Sequence, residues 1–153
     1  MQKSLNFINE VQLEFEKKLF SVKKVTTSAD AAEISREIYH ATYSKIELKE
    51  YFFIIMLNRA NEVLGYTKVG EGGVSSTLVD MKLAFATAIK CLASGIILLH
   101  NHPSSQLRPS EQDIQLTKNF SRLADVLDIR ILDHIIITAH SYCSFSDEGI
   151  CMR

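Results

Sequence analysis

Residues 96–113 read IILLHNHPSSQLRPSEQD. Ile96 to Leu99 is an unbroken apolar run, the pattern of a strand buried on both faces. It leads into His100-Asn101-His102-Pro103, and because proline cannot continue a ladder in a central position, the strand must stop there. Side chains alternate along an extended segment, so His100 and His102 point the same way with Cα atoms roughly 6.5 to 7 Å apart. Two imidazoles can then converge on one ion. After Pro109, Ser110-x-x-Asp113 has the form of a capping box, and Leu116, Phe120, Leu123, Ala124 and Leu127 give the helix behind it an apolar face. Asp113 shares that face with Leu116, Thr117 and Phe120, so a helix docking its apolar side also aims this carboxylate inward. Ser110, one turn earlier, joins it.

Outward from this centre the chain alternates between strand and helix signals. Tyr51 to Leu57 is seven apolar residues in succession, followed by a polar Asn58-Arg59-Ala60-Asn61 turn and a hairpin partner expected over about Val63 to Val69. After the Gly70 to Gly73 break, Asp80 is placed to cap a helix. Its Met81, Phe85, Ala88, Ile89 and Leu92 recur at helical spacing as a buried stripe, with Gly95 as its end. Toward the N-terminus, Thr27-x-x-Asp30 opens an Ala/Glu-rich helix running to about Thr42, and Val11, Leu13 and Phe15 alternate as a half-buried strand would. Ile129 to Thr138 closes as a last long strand, with a short aromatic piece at Tyr142 to Phe145. The expected class is α/β (α+β): a mixed β-sheet flanked by helices, in one domain spanning 1–153, with an N-terminal extension over 1–26 and a core over 27–153.

At 153 residues with 46% hydrophobic and 23% charged residues, the chain has the size and composition of one globular unit. Lys plus Arg total 17 against 18 for Asp plus Glu, so a net charge of -1 provides no electrostatic pull toward polyanions. No apolar run approaches the roughly eighteen residues that span a bilayer, and Met1 to Lys18 lacks the apolar stretch of a signal peptide, so the expected localisation is cytoplasmic. Cys91, Cys143 and Cys151 are odd in number and carry no Cys-x-x-Cys spacing, and are expected to be reduced thiols. Asn119-Phe120-Ser121 matches a glycosylation acceptor but falls inside a helical pattern, where it carries no meaning.

A lone histidine at a strand end is usually a satisfied polar residue, and Ser-x-x-Asp alone is more often a cap than a site. The assignment rests on coincidence: two histidines spaced by one at the mouth of a buried strand, followed by an inward-facing aspartate at a helix start. We therefore assign His100, His102 and Asp113 as ligands of one metal ion. Two nitrogens and one oxygen, with a fourth position left to water, is what a catalytic zinc site requires; a closed structural site would need a fourth protein ligand, and no cysteine is suitably placed in sequence. His134, in a strand after Asp133, reads as a packed histidine or as support behind a ligand, and stays outside the set.

These residues resemble a known family. His100-x-His102, then Asp113 with Ser110 three residues before it, is similar to the JAMM signature of JAB/MPN metalloproteases. The fuller string His100-Asn101-His102-Pro103-Ser104, Pro109-Ser110-x-x-Asp113, Leu132-Asp133-His134-Ile135-Ile136-Ile137 and Ser144-Phe145 resembles the RadC-like branch, over the chain from about Ala29 onward. Ser105 departs from it, standing where that family usually has glycine, a difference expected to bear on loop flexibility rather than on ligands. Family members often carry an N-terminal helix-hairpin-helix segment, and the residues before Ala29 are expected not to form one.

The resemblance implies a JAB/MPN-like, cytidine-deaminase-like architecture and a zinc-dependent hydrolase acting on a protein or peptide substrate. It places the catalytic glutamate at the start of the strand after the first helix, which is Glu50; by the residues alone Glu47, Glu62 and Glu71 compete with it. In the implied mechanism the metal activates a water, Glu50 moves its proton to the leaving amine, and Ser110 hydrogen-bonds the oxyanion or caps its helix. Nucleic acid enters as a partner by family association only, through the DNA-repair role that the RadC name suggests, and a non-catalytic interaction module is the remaining alternative. His-Asn-His in one tripeptide is not the arrangement of HNH nucleases, and the His-x-Glu and Pro-Cys-x-x-Cys of zinc deaminases are absent.

Overall fold

Tyr51–Leu57 forms a strand, β1, all of whose residues except Tyr51 are fully or nearly fully buried, as seven apolar residues in a row require. In the computed structural model, which describes residues 14–16, 18, 20–42, 46–72 and 77–150, β1 lies near the middle of a mixed sheet. Before it comes α1 (Ser28–Ala41); after it come β2 (Val63–Gly72), β3 (Thr77–Val79), α2 (Met81–Lys90), β4 (Gly95–Asn101), α3 (Glu111–Val126), β5 (Arg130–Ile137) and β6 (Tyr142–Ser144). The strand order is β3-β2-β1-β4-β5-β6, with β4 and β5 parallel and every other pair antiparallel. The fold is α+β, and β4-α3-β5 is its parallel crossover unit.

The period of two along each strand divides the core between the faces. Phe52, Ile54 and Met56 of β1 meet Ile96 and Leu98 of β4 on the side covered by α2 and α3. Phe53, Ile55 and Leu57 meet Ile97 and Leu99 on the side covered by α1. Each such side chain contributes about 1.5 to 3 kcal/mol on burial. The register pairs Phe52 with His100, so the exit of β4 and the entry of β1 lie side by side at one end of the sheet.

Helix boundaries follow local chemistry. Thr27 caps α1 in a reciprocal box with Asp30, and Ser110 does the same for α3 with Asp113. The expected glycine stop of α2 at Gly95 is not used. The helix closes at Cys91, Leu92 adopts a left-handed φ of 53°, and Leu92 and Ala93 donate to the Ile89 and Ala88 carbonyls, a Schellman closure without glycine. Gly95 instead belongs to β4, where a Cβ would stand 2.8 Å from a Leu132 methyl. α3 closes in the same way, with Asp128 at φ 54° and Ile129 bonded back to Ala124.

The helical stripes are narrower than the sequence pattern suggests. Ala84, Phe85 and Ala88 are the buried residues of α2, while Ile89 is 49% and Leu92 84% exposed. On α3, Phe120 and Ala124 are buried with Thr117 and Asp113, whereas Leu123 is 46% and Leu127 40% exposed. Both helices present only the edge facing the sheet, and where they end the apolar side chains run past it. In the N-terminal extension, the strand expected at Val11, Leu13 and Phe15 falls at Val11 and Leu13 outside the described residues; Phe15 lies in no strand and is 57% exposed. Cys151 also lies outside them, and Cys91 and Cys143 are free thiols.

Two carboxylates at the surface, Asp30 and Glu71, contribute to the acid stability of the frame. Hydrogen bonds from the Thr26 backbone and hydroxyl and the Thr27 backbone hold Asp30 down to about 2; Lys68 and Lys49 hold Glu71 down to about 2. Unfolding releases both to ordinary values of about 3.9 and 4.3, so in that window the unfolded chain binds more protons than the folded one. Their contribution is complete above those values and is lost as pH falls toward 2. Thermal melts should therefore drop between about pH 4 and pH 2, and an Asp30→Asn variant should show a shallower drop.

Candidate metal centre

At the end of β4, His100 Nε2 lies 2.9 Å from His102 Nε2 and 3.1 Å from Asp113 Oδ1, and His102 Nε2 lies 3.5 Å from Asp113 Oδ2. His100 and Asp113 are buried and His102 is half-buried. The end of β4 supplies His100 and the position just past the strand supplies His102, both on the α3 side, and the α3 capping box supplies the carboxylate. Among the described residues, this is the group of ligand-type side chains whose donor atoms converge, all within 4.8 Å of one another.

These atoms are acceptors facing acceptors. His102 Nδ1 lies 2.7 Å from the Gln106 carbonyl, which can only accept, so Nδ1 carries the proton and Nε2 presents its lone pair inward. Burial pushes the Asp113 carboxyl upward, but the adjacent imidazoles of His100 and His102 and the Ser110 hydroxyl outweigh it and hold the group far below its ordinary range. For His102, burial opposes the charge, yet the adjacent Asp113 carboxylate, the Gln106 carbonyl and the charge of Glu50 raise its pKa on balance. Such a cluster invites a cation. A tetrahedral ion with bonds of about 2.0 to 2.1 Å places its ligand atoms about 3.3 Å apart, and the observed spacings bracket that value. His100, His102 and Asp113 can hold a metal ion.

Behind the cluster, His100 Nδ1 lies 2.8 Å from His134 Nε2, and His134 Nδ1 lies 2.7 Å from the Thr117 hydroxyl. His134 is fully buried, and desolvation together with the neighbouring His100 holds its pKa well below the ordinary histidine range. It touches a ligand without joining the set.

Glu50 lies just before β1 and lines the same groove as Phe52, His102, Ser110 and Asp113. Among the described residues its carboxylate has no hydrogen-bond or ion-pair partner. Its sequence competitors are placed otherwise. Glu71 is engaged by Lys49 and Lys68, Glu62 accepts from Asn58 at the opposite end of β1, and Glu47 is exposed and does not line the groove.

Asn101 escaped the sequence reading. Between two inward histidines it must face the opposite layer, and a fully buried amide there needs partners. Its oxygen accepts from the Tyr39 hydroxyl and the Tyr51 N–H, each at 2.8 Å, and its nitrogen donates to the Ile46 and Lys49 carbonyls, each at 2.7 Å. One amide thus ties the segment before β1, and with it Glu50, to the strand that carries the histidines. The signal was available in the alternation of a polar residue within a buried strand.

Ser110 Oγ donates to Asp113 Oδ2 at 2.7 Å and accepts from the Asp113 N–H at 3.1 Å, so the cap also steadies the carboxylate. Ser105 sits at φ 61°, a conformation that favours glycine, and its N–H closes a turn onto the His102 carbonyl. That turn brings the Gln106 carbonyl to His102, so the departure at Ser105 lies in the segment that orients a ligand, contrary to the expectation of loop flexibility alone.

His102→Ala and Asp113→Ala should each abolish stoichiometric binding of a divalent ion while the far-ultraviolet dichroism persists, because the apolar core does not depend on them; elemental analysis of the purified variants is the check. Asn101→Ala leaves a tyrosine hydroxyl, one N–H and two carbonyls without the amide, and should cost on the order of 3 kcal/mol in denaturant unfolding.

Residues 25–150 match the RadC-like JAB domain family. A UPF0758 protein of Flavobacterium johnsoniae is 41% identical over 133 residues, covering 86% of this chain and 56% of that protein. A UPF0758 protein of Porphyromonas gingivalis is 44% identical over 103 residues, covering 67% of this chain and 45% of its own length, and one of Pelobacter propionicus is 35% identical over 102 residues, covering 67% and 44%. The chain spans about half the length of the curated relatives it matches. No helix among the described residues is long and apolar enough to cross a membrane. The match spans every strand and helix described above and the cluster at the end of β4, and this chain belongs to the RadC-like JAB domain family.

Proposed function

We propose that this domain is a zinc-dependent hydrolase that cleaves a peptide or isopeptide bond with an activated water. The observation that carries the reading is the convergence of two imidazole nitrogens and one carboxylate on a common point in a groove where, among the described residues, the Glu50 carboxylate has no partner. A set of two neutral imidazoles and one carboxylate with space beside it suits zinc with an open position. A zinc ion held there supplies Lewis acidity, making water acidic near neutral pH and polarising a carbonyl.

The residues of the chain do the rest. Glu50 takes the proton of the attacking water and returns it to the leaving amine, which needs a carboxylate free of other partners. Ser110 turns its hydroxyl from Asp113 toward the oxyanion as it forms. Asp113 Oδ2 is not abandoned when this happens, because the Ser110 N–H also donates to it at 2.7 Å. The groove is lined by Leu48, Leu78 and Leu116 as well as by Gln106 and Arg108, a mixture suited to an extended peptide rather than to a polyanion. The net charge of -1 agrees.

Incubation of the zinc-loaded chain with peptide and isopeptide libraries should give cleavage that a chelator abolishes. Glu50→Gln should bind zinc normally and lower the rate about 10² to 10⁴-fold. Cleavage that persists in chelator, or an unchanged rate in Glu50→Gln, overturns the reading.

A further inference from the structure

Thr117 and His134 form a buried chain of hydrogen bonds that runs from the Asp113 main-chain carbonyl to His100 Nδ1. We propose that these two are positioning residues that fix the His100 imidazole as its Nδ1–H tautomer, so that the bare Nε2 faces His102 and Asp113. The use of that lone pair rests on the metal-centre reading; the tautomer itself does not.

The direction of each bond follows from proton counting. Thr117 Oγ lies 2.7 Å from the Asp113 carbonyl oxygen, which can only accept, so the single hydroxyl proton points there. Toward His134 Nδ1, at 2.7 Å, the same oxygen must therefore accept, and Nδ1 carries hydrogen. In neutral imidazole the other nitrogen is then bare. His134 Nε2 thus accepts from His100 Nδ1 at 2.8 Å, which leaves His100 Nε2 as the bare nitrogen, 3.1 Å from Asp113 Oδ1. His100, Thr117 and His134 are all at 0% exposure, so solvent offers no alternative partner.

The rings are also held mechanically. Phe52 stacks on His100 with centroids 5.6 Å apart and 12° between planes, and it meets His134 edge-on at 5.5 Å, while Phe145 lies 4.4 Å from His134 on another side. Asp113 thus contributes twice. Its carboxylate joins the cluster, and its main-chain carbonyl starts the sequence of bonds that sets the protonation of the ligand opposite. A ligand histidine whose remote nitrogen donates to a fixed acceptor is oriented and made more basic.

Two measurements on the full chain test this. In metal-free, 15N-histidine-labelled native protein at alkaline pH, the long-range proton-nitrogen spectrum should show hydrogen on Nδ1 and a bare Nε2 for His100; hydrogen on His100 Nε2 overturns the proposal. In cobalt(II) titrations followed by visible absorbance, Thr117→Val should bind about 10 to 100-fold more weakly than the native chain, and Thr117→Ser, which keeps the hydroxyl, should bind like it. Equal affinity in Thr117→Val also overturns it. A native chain that takes up no cobalt or zinc sinks the metal reading alone, because the nitrogen spectrum still decides the tautomer. That spectrum uses the unaltered sequence and does not depend on the valine variant keeping its packing.

Discussion

Side-chain alternation at the exit of β4 is the constraint on which the rest of the structure depends. Three consecutive polar residues emerge from a strand that is apolar for its whole preceding length, and the pleat sends His100 and His102 to the α3 layer and Asn101 to the α1 layer. Each must find partners or incur a desolvation penalty of about 1 to 3 kcal/mol. The histidines find Asp113, His134 and the Gln106 carbonyl, whereas Asn101 finds the chain entering β1. A shift of one residue in register would exchange the two layers and destroy both sets of contacts.

The groove and the frame are therefore parts of the same hydrogen-bonded unit. Pairing of Phe52 with His100 fixes where β1 begins relative to the cluster, and the Asn101 amide fixes the backbone just before it, so Glu50 reaches the groove as a consequence of satisfied polar groups on the opposite face. On the other side, the capping box of α3 does double duty: it ends the exposed N–H groups of the helix and presents a carboxylate to two imidazoles. The helix N-terminus favours that negative charge as well. A rigid support of this kind suits a group of side chains that can hold a metal ion, since loosely held donors lose both affinity and geometry.

Much of this was legible in the residues. The seven apolar residues of β1 and the Ile96 to Leu99 run read as central strands, and the two capping boxes marked where α1 and α3 begin. Helix ends and stripe widths were less so. Leu92 and Asp128 adopt left-handed conformations without being glycine, and Ile89, Leu123 and Leu127 sit at helical spacing yet face solvent, because a neighbouring layer and not the helix itself decides how wide a face is covered. His134 and Thr117 carried no local signal of their partnership, being seventeen residues apart on different elements.

The sequence by itself determined the elements, their two-faced patterning and the identity of the converging donors, because strand and helix periodicities act over a few residues and place His100, His102 and Asp113 on predictable sides. Only the tertiary structure decided which glutamate shares the groove, that Asn101 holds it there, and which nitrogens carry hydrogen. Those are outcomes of contacts between segments far apart in the chain. Their geometry is set by sheet register and helix docking, quantities to which no single stretch of residues has access.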